Sequence, residues 1–327
     1  MKNAVRFILL LSVMMPSCVG VREILAELET TKSIPPEEDL DFSIQPLIEE
    51  ELPWAGSAKI VKEEALEFPV RKEQPQVLSD DELIDPSGMT VQTRVVCPKE
   101  YGRVKAGTQF GTYLRDLPLK GDGAKVHYYD GTLKANDVYV AVVDMDVGKR
   151  DLQQCADAVM RLRAEYLYQS GQYDAIHFNF TNGFNAKYSK WRAGNRISVK
   201  GNKVSWYPKG PKTTQYRSFR QYMNMVFAYA GTLSLSRELK PVALPNLQIG
   251  DVFIKGGSPG HAVIVVDVAV NKYGEKIFLL AQSYMPAQEI QILKNNHSRG
   301  LGPWYKADFE TLYTPEWTFK AGELMRF

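Results

Sequence analysis

The chain has 327 residues, 44% of them hydrophobic and 24% charged, with a formal net charge of +2. That composition is ordinary for a globular protein and excludes a fully disordered or fibrous chain; no run approaches the roughly 18 apolar residues of a membrane-spanning helix, which excludes a polytopic membrane protein. The charge is a cancellation: residues 1–20 carry two basic groups, residues 21–93 carry 18 acidic against 6 basic, and residues 94–327 carry 32 basic against 20 acidic.

Lys2 and Arg6 flank the apolar core Phe7-Ile8-Leu9-Leu10-Leu11, which is export-signal anatomy and too short to span a bilayer. Met15-Pro16-Ser17-Cys18 then resembles a lipobox, the bacterial motif whose cysteine becomes the lipidated N-terminus. Residues 1–17 are predicted to be a signal peptide and Cys18 a lipidation site, in an exported protein held at the cell envelope membrane; ordinary signal cleavage nearby is the alternative. Residues 18–93 contain Pro35-Pro36, Pro46, Pro53, Pro69, Pro75 and Pro86, with the acidic runs Glu49-Glu50-Glu51 and Asp80-Asp81-Glu82. Like charges repel and proline interrupts regular structure, so this segment is predicted to be an extended acidic tether.

From Arg94 the pattern changes. The β-branched run over 138–143 predicts a buried strand. Asp151 is placed to cap a helix on which Leu152, Cys155, Val159, Leu162 and Tyr166 share a face, with Gly171 as its stop. A second helix is expected over 216–235, and strands over 249–255, 262–269 and 276–282, the last two joined by a turn at Asn271-Lys272-Tyr273-Gly274. Strands mixed with a few long helices predict one α+β domain over residues 94–327.

Cys97 and Cys155 remain once Cys18 is assigned to lipidation. Three readings of Cys155 stand open: a disulfide with Cys97, inert burial on the apolar stripe, or a nucleophile. The nucleophile reading rests on its place in the first turn of a helix, where unpaired N–H groups and the dipole favour a thiolate. A thiolate needs a base, and His261 is the best placed of the four histidines. It opens an apolar strand after Gly256-Gly257-Ser258-Pro259-Gly260, whose small residues would leave the imidazole accessible. Folding the hairpin about its turn sets Gln282 near Val263, on the face that carries His261, so Gln282 is the expected orienter of the imidazole. Capping of a turn by His261 is the competing reading.

Between Ala175 and Arg237 there is no Asp or Glu, while 11 Lys or Arg occur, interleaved with Tyr188, Trp191, Trp206, Tyr207, Tyr216, Phe219 and Tyr222. Lys190, Trp191, Arg192 and Arg196 are the substrate-binding candidates from this segment. Such a surface can bind nucleic acid; in an exported protein, an anionic envelope polymer, glycan or peptide is the better-fitting partner. The competing reading makes the rings core and the cations solvent-facing. His177, beside Phe178 and Phe180, is read as a packed strand residue. Asp144, Asp146 and Asp151, just beyond a strand, offer a second enzyme class with paired carboxylates on a glycoside, against the plainer role of ending strands and capping helices. No zinc spacing, phosphate-binding glycine loop or dinucleotide fingerprint occurs, so neither metal nor cofactor is expected.

Gly250-Asp251-Val252-Phe253-Ile254, followed by Gly260-His261 and the strand over 262–266, resembles the second half of NlpC-type and CHAP peptidase domains. That resemblance implies a papain-like fold with a helix-borne Cys and a His-led antiparallel sheet, and a cysteine peptidase or amidase activity. Cys155, His261 and Gln282 occur in the implied chain order, although Gln153-Gln154-Cys155-Ala156-Asp157 lacks the usual Asp-Cys setting and the step from Cys to His is long. A second resemblance covers nearly all of the region from Arg94. Phe110-Gly111-Thr112-Tyr113-Leu114-Arg115, Arg150-Asp151-Leu152-Gln153-Gln154-Cys155-Ala156-Asp157 and Gly256-Gly257-Ser258-Pro259-Gly260-His261 carry its first half. Leu279-Leu280-Ala281-Gln282-Ser283-Tyr284-Met285-Pro286-Ala287-Gln288 and Thr314-Pro315-Glu316-Trp317 carry the rest. These resemble an exported bacterial family catalogued as domain of unknown function 4846, which implies no reaction. The sequence thus points to an envelope cysteine amidase or peptidase, a hydrolase acting on cell-wall peptide or a related amide. The alternative is a non-catalytic lipoprotein binding an anionic glycan or peptide.

Overall fold

His261–Asn271 is the longest strand and is buried along nearly its whole length, which is why it reads as a continuous apolar run rather than an alternation. The structure, a computed structural model, describes residues 80–297 and 300–327. The strand turns at Gly274, where φ is +83° and only glycine is at ease, and pairs antiparallel with Lys276–Gln282. Lys276 faces Val270, but after a bulge between Leu279 and Leu280 the register has moved by one, and Ala281 faces Ile264. Side chains alternate along a strand, so this bulge decides which face Gln282 presents. Continuing the shifted register sets Gln282 beside Val263, on the His261 face.

The hairpin is the centre of a nine-stranded antiparallel sheet. On one side Gln291–Leu293 pairs with Lys276–Gln282, and Tyr139–Val142 follows at the edge. On the other, Val252–Lys255, Leu324–Arg326 and Lys240–Pro241 add in that order. Tyr101–Arg103 and Tyr305–Lys306 pair with the turn end of the hairpin. Helix Cys155–Gln169 packs on the His261 strand and is itself covered by helices Gln109–Arg115, Tyr216–Tyr229 and Thr232–Glu238. The expected single apolar face is therefore an underestimate: even Asp157, Arg161 and Glu165 of this helix are buried. The molecule's described part is a mixed α+β domain with a large antiparallel sheet, as its element pattern predicts.

Several boundaries differ from expectation for local reasons. The helix expected over 216–235 divides at Ala230-Gly231, where Gly231 is extended and donates its N–H to Ser234 Oγ at 3.0 Å. The strand expected from Ile249 starts at Val252. Gly250 ahead of it takes φ +95° against the Phe110 ring, and Asp251 is wholly buried and gripped by Arg326 at 2.6 and 2.9 Å. The folded part also reaches N-terminal of Arg94. Leu83 and Val91 are fully buried, and Val96 N–H donates to the Leu83 carbonyl at 2.8 Å. The predicted signal peptide, Cys18 and the tether up to residue 79 lie outside the described residues. Among the described residues no helix is long and apolar enough to cross a membrane.

Candidate active site

Cys155 lies in the first turn of its helix, as the sequence suggests, but it is the first residue, because the cap is Gln154 rather than Asp151. The Gln154 N–H donates to Asp157 Oδ2 at 3.1 Å. Asp151 instead braces the approach: its Oδ1 accepts from Gln154 Nε2 at 3.1 Å and from the Ala287 N–H at 2.7 Å. Ser283 Oγ lies 3.0 Å from the Gln153 carbonyl, tying the same approach to the end of the Gln282 strand. The cysteine is thereby held against the sheet. The backbone N–H groups of Ala156 and of Ala262, the residue after His261, act on its thiol in the direction of the thiolate.

His261 Nε2 lies 3.0 Å from Gln282 Oε1. The structure thus brings the expected base and orienter together and places Cys155 beside the backbone that follows the base. Among the described residues, no hydrogen bond links the Cys155 sulfur to the His261 ring. The imidazole is not accessible: it is 1% exposed, with the rings of Tyr284, Trp317 and Phe319 at 4.9, 5.5 and 5.9 Å. The glycines before it serve close backbone approach instead. A Cβ on Gly260 would sit 2.5 Å from the Gly257 carbonyl oxygen and from Thr232 Oγ1. Cys155, at 8% exposure, lines a cleft of about 410 Å³. Gly231, Thr232, the Gly257-Ser258-Pro259-Gly260 turn, Met285 and the carboxylates Asp151 and Asp157 share its wall, and among the described residues no cationic side chain does.

Burial dominates the electrostatics. It pushes the Cys155 thiol up to about 11, against the neighbouring N–H groups that favour the thiolate. The helix terminus therefore does not by itself deliver the activated thiolate expected from sequence. Burial also drives the His261 imidazole down to about 4, against the Gln282 hydrogen bond and the Glu316 carboxylate, and holds the Asp157 carboxyl well above its ordinary range. At neutral pH the pair rests as thiol and neutral imidazole. Because the fold excludes the His261 proton, stability should fall as pH drops from the ordinary 6.5 towards about 4, where only the unfolded chain is protonated. The loss by pH 4 is roughly 3 kcal/mol at about 1.36 kcal/mol per pH unit. Denaturant titrations of wild type and His261→Gln at pH 7 and pH 4 check this, and equal losses in both proteins would contradict it.

Behind Gln282 lies a set of residues that sequence reasoning missed. Gln282 Nε2 donates to Glu316 Oε2 at 2.6 Å, and Lys134 Nζ reaches both Glu316 oxygens at 2.7 and 2.9 Å. Lys134 also donates to Gln288 Oε1 at 2.9 Å and sits over the Tyr284 ring. Glu316, Tyr284 and Gln288 fall within the family-like segments and could have been singled out there. Lys134 carries no sequence signal, because a lone loop lysine reads as solvent-facing.

The other candidates lie elsewhere. None of Lys190, Trp191, Arg192 and Arg196 lines the Cys155 cleft. Trp191 is core, its Nε1 donating to the Ser218 carbonyl at 3.1 Å. Arg192 stacks on Tyr173 and Arg196 on Trp191, at 4.6 and 4.3 Å from the ring centres, while Lys190 lies 5.9 Å from Trp206. His177 stands in a strand, half-exposed and 3.6 Å from Glu238. Asp144 and Asp151 line different clefts and Asp146 pairs with Arg220, so these carboxylates do not converge. Cys97 and Cys155 are both free thiols. Among the described residues no group of three or more His, Cys, Asp or Glu is arranged to hold a metal ion.

The fold and site define a mixed α+β domain in which a cysteine opens a helix beside a buried histidine–glutamine pair. Residues 91–326 match the family model described as Domain of unknown function (4846), and the chain belongs to that family. No curated protein and no solved structure matches the chain.

Proposed function

We propose that this domain is a cysteine amidase or peptidase of the cell envelope, with Cys155 as nucleophile, His261 as general base and Gln282 as orienter. The observation that carries it is the 3.0 Å contact of His261 Nε2 with Gln282 Oε1, beside a cleft-lining cysteine that opens the helix packed on the His261 strand. A papain-like arrangement belongs to the same reading: a cysteine opening a helix, a histidine opening the strand it packs on, and a polar residue on the next strand. The route is acyl transfer. Moving a proton from a thiol near 11 to an imidazole near 4 before attack would cost roughly 10 kcal/mol. The transfer therefore accompanies bond formation: sulfur attacks the amide carbon while His261 takes its proton. The first-turn N–H groups, which precede the helix's own hydrogen bonds, receive the developing oxyanion. The histidine then protonates the departing amine, and water, deprotonated by the same ring, cleaves the thioester.

Among the described residues the cleft wall has no cation, so an anionic polymer would be met elsewhere, through the exposed lysines of the hairpin Asn195–Lys200 and Lys203–Pro208 and the loop after it. In this account Cys18 carries the lipid and the acidic segment spaces the domain from the membrane. Unchanged retention on an anionic glycan after Lys200→Glu, Lys203→Glu and Lys209→Glu would remove the polymer contact. The catalytic reading is tested with p-nitrophenyl acetate, an activated acyl donor. Turnover should fall by about 10²-fold or more in Cys155→Ala and in His261→Ala; equal turnover in all three proteins would remove the reading.

A further inference from the structure

The amide of Gln282 has two nearly identical ends, and only its partners decide which one faces His261. Glu316, as a carboxylate, can only accept, so the end 2.6 Å from Glu316 Oε2 is the NH₂ group. The other end is then a carbonyl oxygen, and the His261 Nε2 lying 3.0 Å from it must carry the proton. Nδ1 is left as the bare nitrogen. The polarity begins one step further back. Lys134, 2% exposed at its side chain, can only donate, and its ammonium is shared between Glu316 and Gln288 Oε1. Gln288 is polarised the same way, its oxygen accepting and its Nε2 donating to the Pro286 carbonyl at 3.1 Å.

Burying a lysine–glutamate pair carries a desolvation cost, and apolar residues of similar volume are often no less stable, so packing alone does not account for the pair. A donor-only group followed by an acceptor-only group does something apolar residues cannot: it gives a chain of amides one direction. We propose that Glu316 and Lys134 are positioning residues whose ion pair fixes the Gln282 amide and, through it, holds His261 in the Nε2–H tautomer with Nδ1 free to accept a proton. The catalytic meaning of that tautomer rests on the acyl-transfer reading above; the tautomer itself does not.

The experiment is nitrogen NMR of ¹⁵N-histidine-labelled protein at pH 7, with p-nitrophenyl acetate turnover measured on the same samples. Wild type should show His261 protonated at Nε2 alone. Glu316→Gln, which can both donate and accept, should let Gln282 turn over, shift His261 wholly or partly to Nδ1–H, and lower turnover at least about tenfold. Where Glu316→Gln does not fold, Gln282→Glu serves: an acceptor-only side chain facing the ring should keep the Nε2–H form. An Nδ1–H ring in wild type or in Gln282→Glu, or an unchanged tautomer in folded Glu316→Gln, overturns the proposal. A tautomer that moves while turnover stays constant supports the relay and counts against the acyl-transfer reading.

Discussion

Asp267→Asn is expected to lower folding stability by about 3–5 kcal/mol, the range for breaking a buried ion pair from one side. Asp267 lies in the middle of the longest strand and is wholly buried. Its two oxygens receive Arg103 Nε at 2.6 Å and Arg115 Nε at 2.7 Å, and Oδ1 also takes the Val268 N–H at 2.8 Å. Arg103 ends an outer strand of the sheet and Arg115 ends a helix, so one carboxylate joins three elements distant in sequence. Asparagine keeps the size but leaves two guanidinium groups without their counter-charge, one of them largely buried. Urea titration at pH 7 measures the loss, and a value below about 1 kcal/mol would contradict the clamp.

Alkylation of Cys155 at pH 7 is expected to be about a hundredfold slower than that of an ordinary cysteine, and to keep rising with pH towards about 11. The reacting species is the thiolate, and raising a thiol from 9 to about 11 lowers its neutral-pH thiolate population by that factor. Site-resolved iodoacetamide labelling between pH 6 and 10 gives the profile, with Cys97 resolved by peptide mass. A rate already at its plateau at pH 7 would show a preformed thiolate–imidazolium pair and overturn the neutral resting state. The sign matters for the mechanism, since a helix N-terminus alone would suggest the opposite result.

Periodicity made the central architecture legible. The apolar run after His261, the turn at Asn271-Lys272-Tyr273-Gly274 and the strand Lys276–Gln282 are local patterns, and the structure has them where the residues place them. The helix that carries Cys155 is legible in the same way, although its cap is not, because Asp151 is a favoured capping type and Gln154, where the helix actually begins, is not. The bulge between Leu279 and Leu280 left no mark on the sequence, yet it settles which face Gln282 occupies. Burial was the largest omission. Glycines ahead of His261 suggested an open imidazole, whereas the rings that close over it come from residues 284, 317 and 319, far along the chain. For the same reason the pair of Glu316 and Lys134, 182 positions apart, could not be seen as a pair. The cation-rich segment shows its aromatic and basic residue types in the sequence, but residue types cannot show that Arg192 and Arg196 stack on neighbouring rings.

The proposed acyl transfer by Cys155 and His261 has a direct chemical signature, an acyl group carried on the cysteine. Its most direct measurement is peptide-mapped mass spectrometry of the protein quenched during turnover of p-nitrophenyl acetate. An acetyl thioester is expected on Cys155 in wild type, absent from Cys155→Ala and formed far more slowly in His261→Ala. Acetyl groups confined to lysines or to Cys97, with Cys155 unmodified throughout, would contradict it.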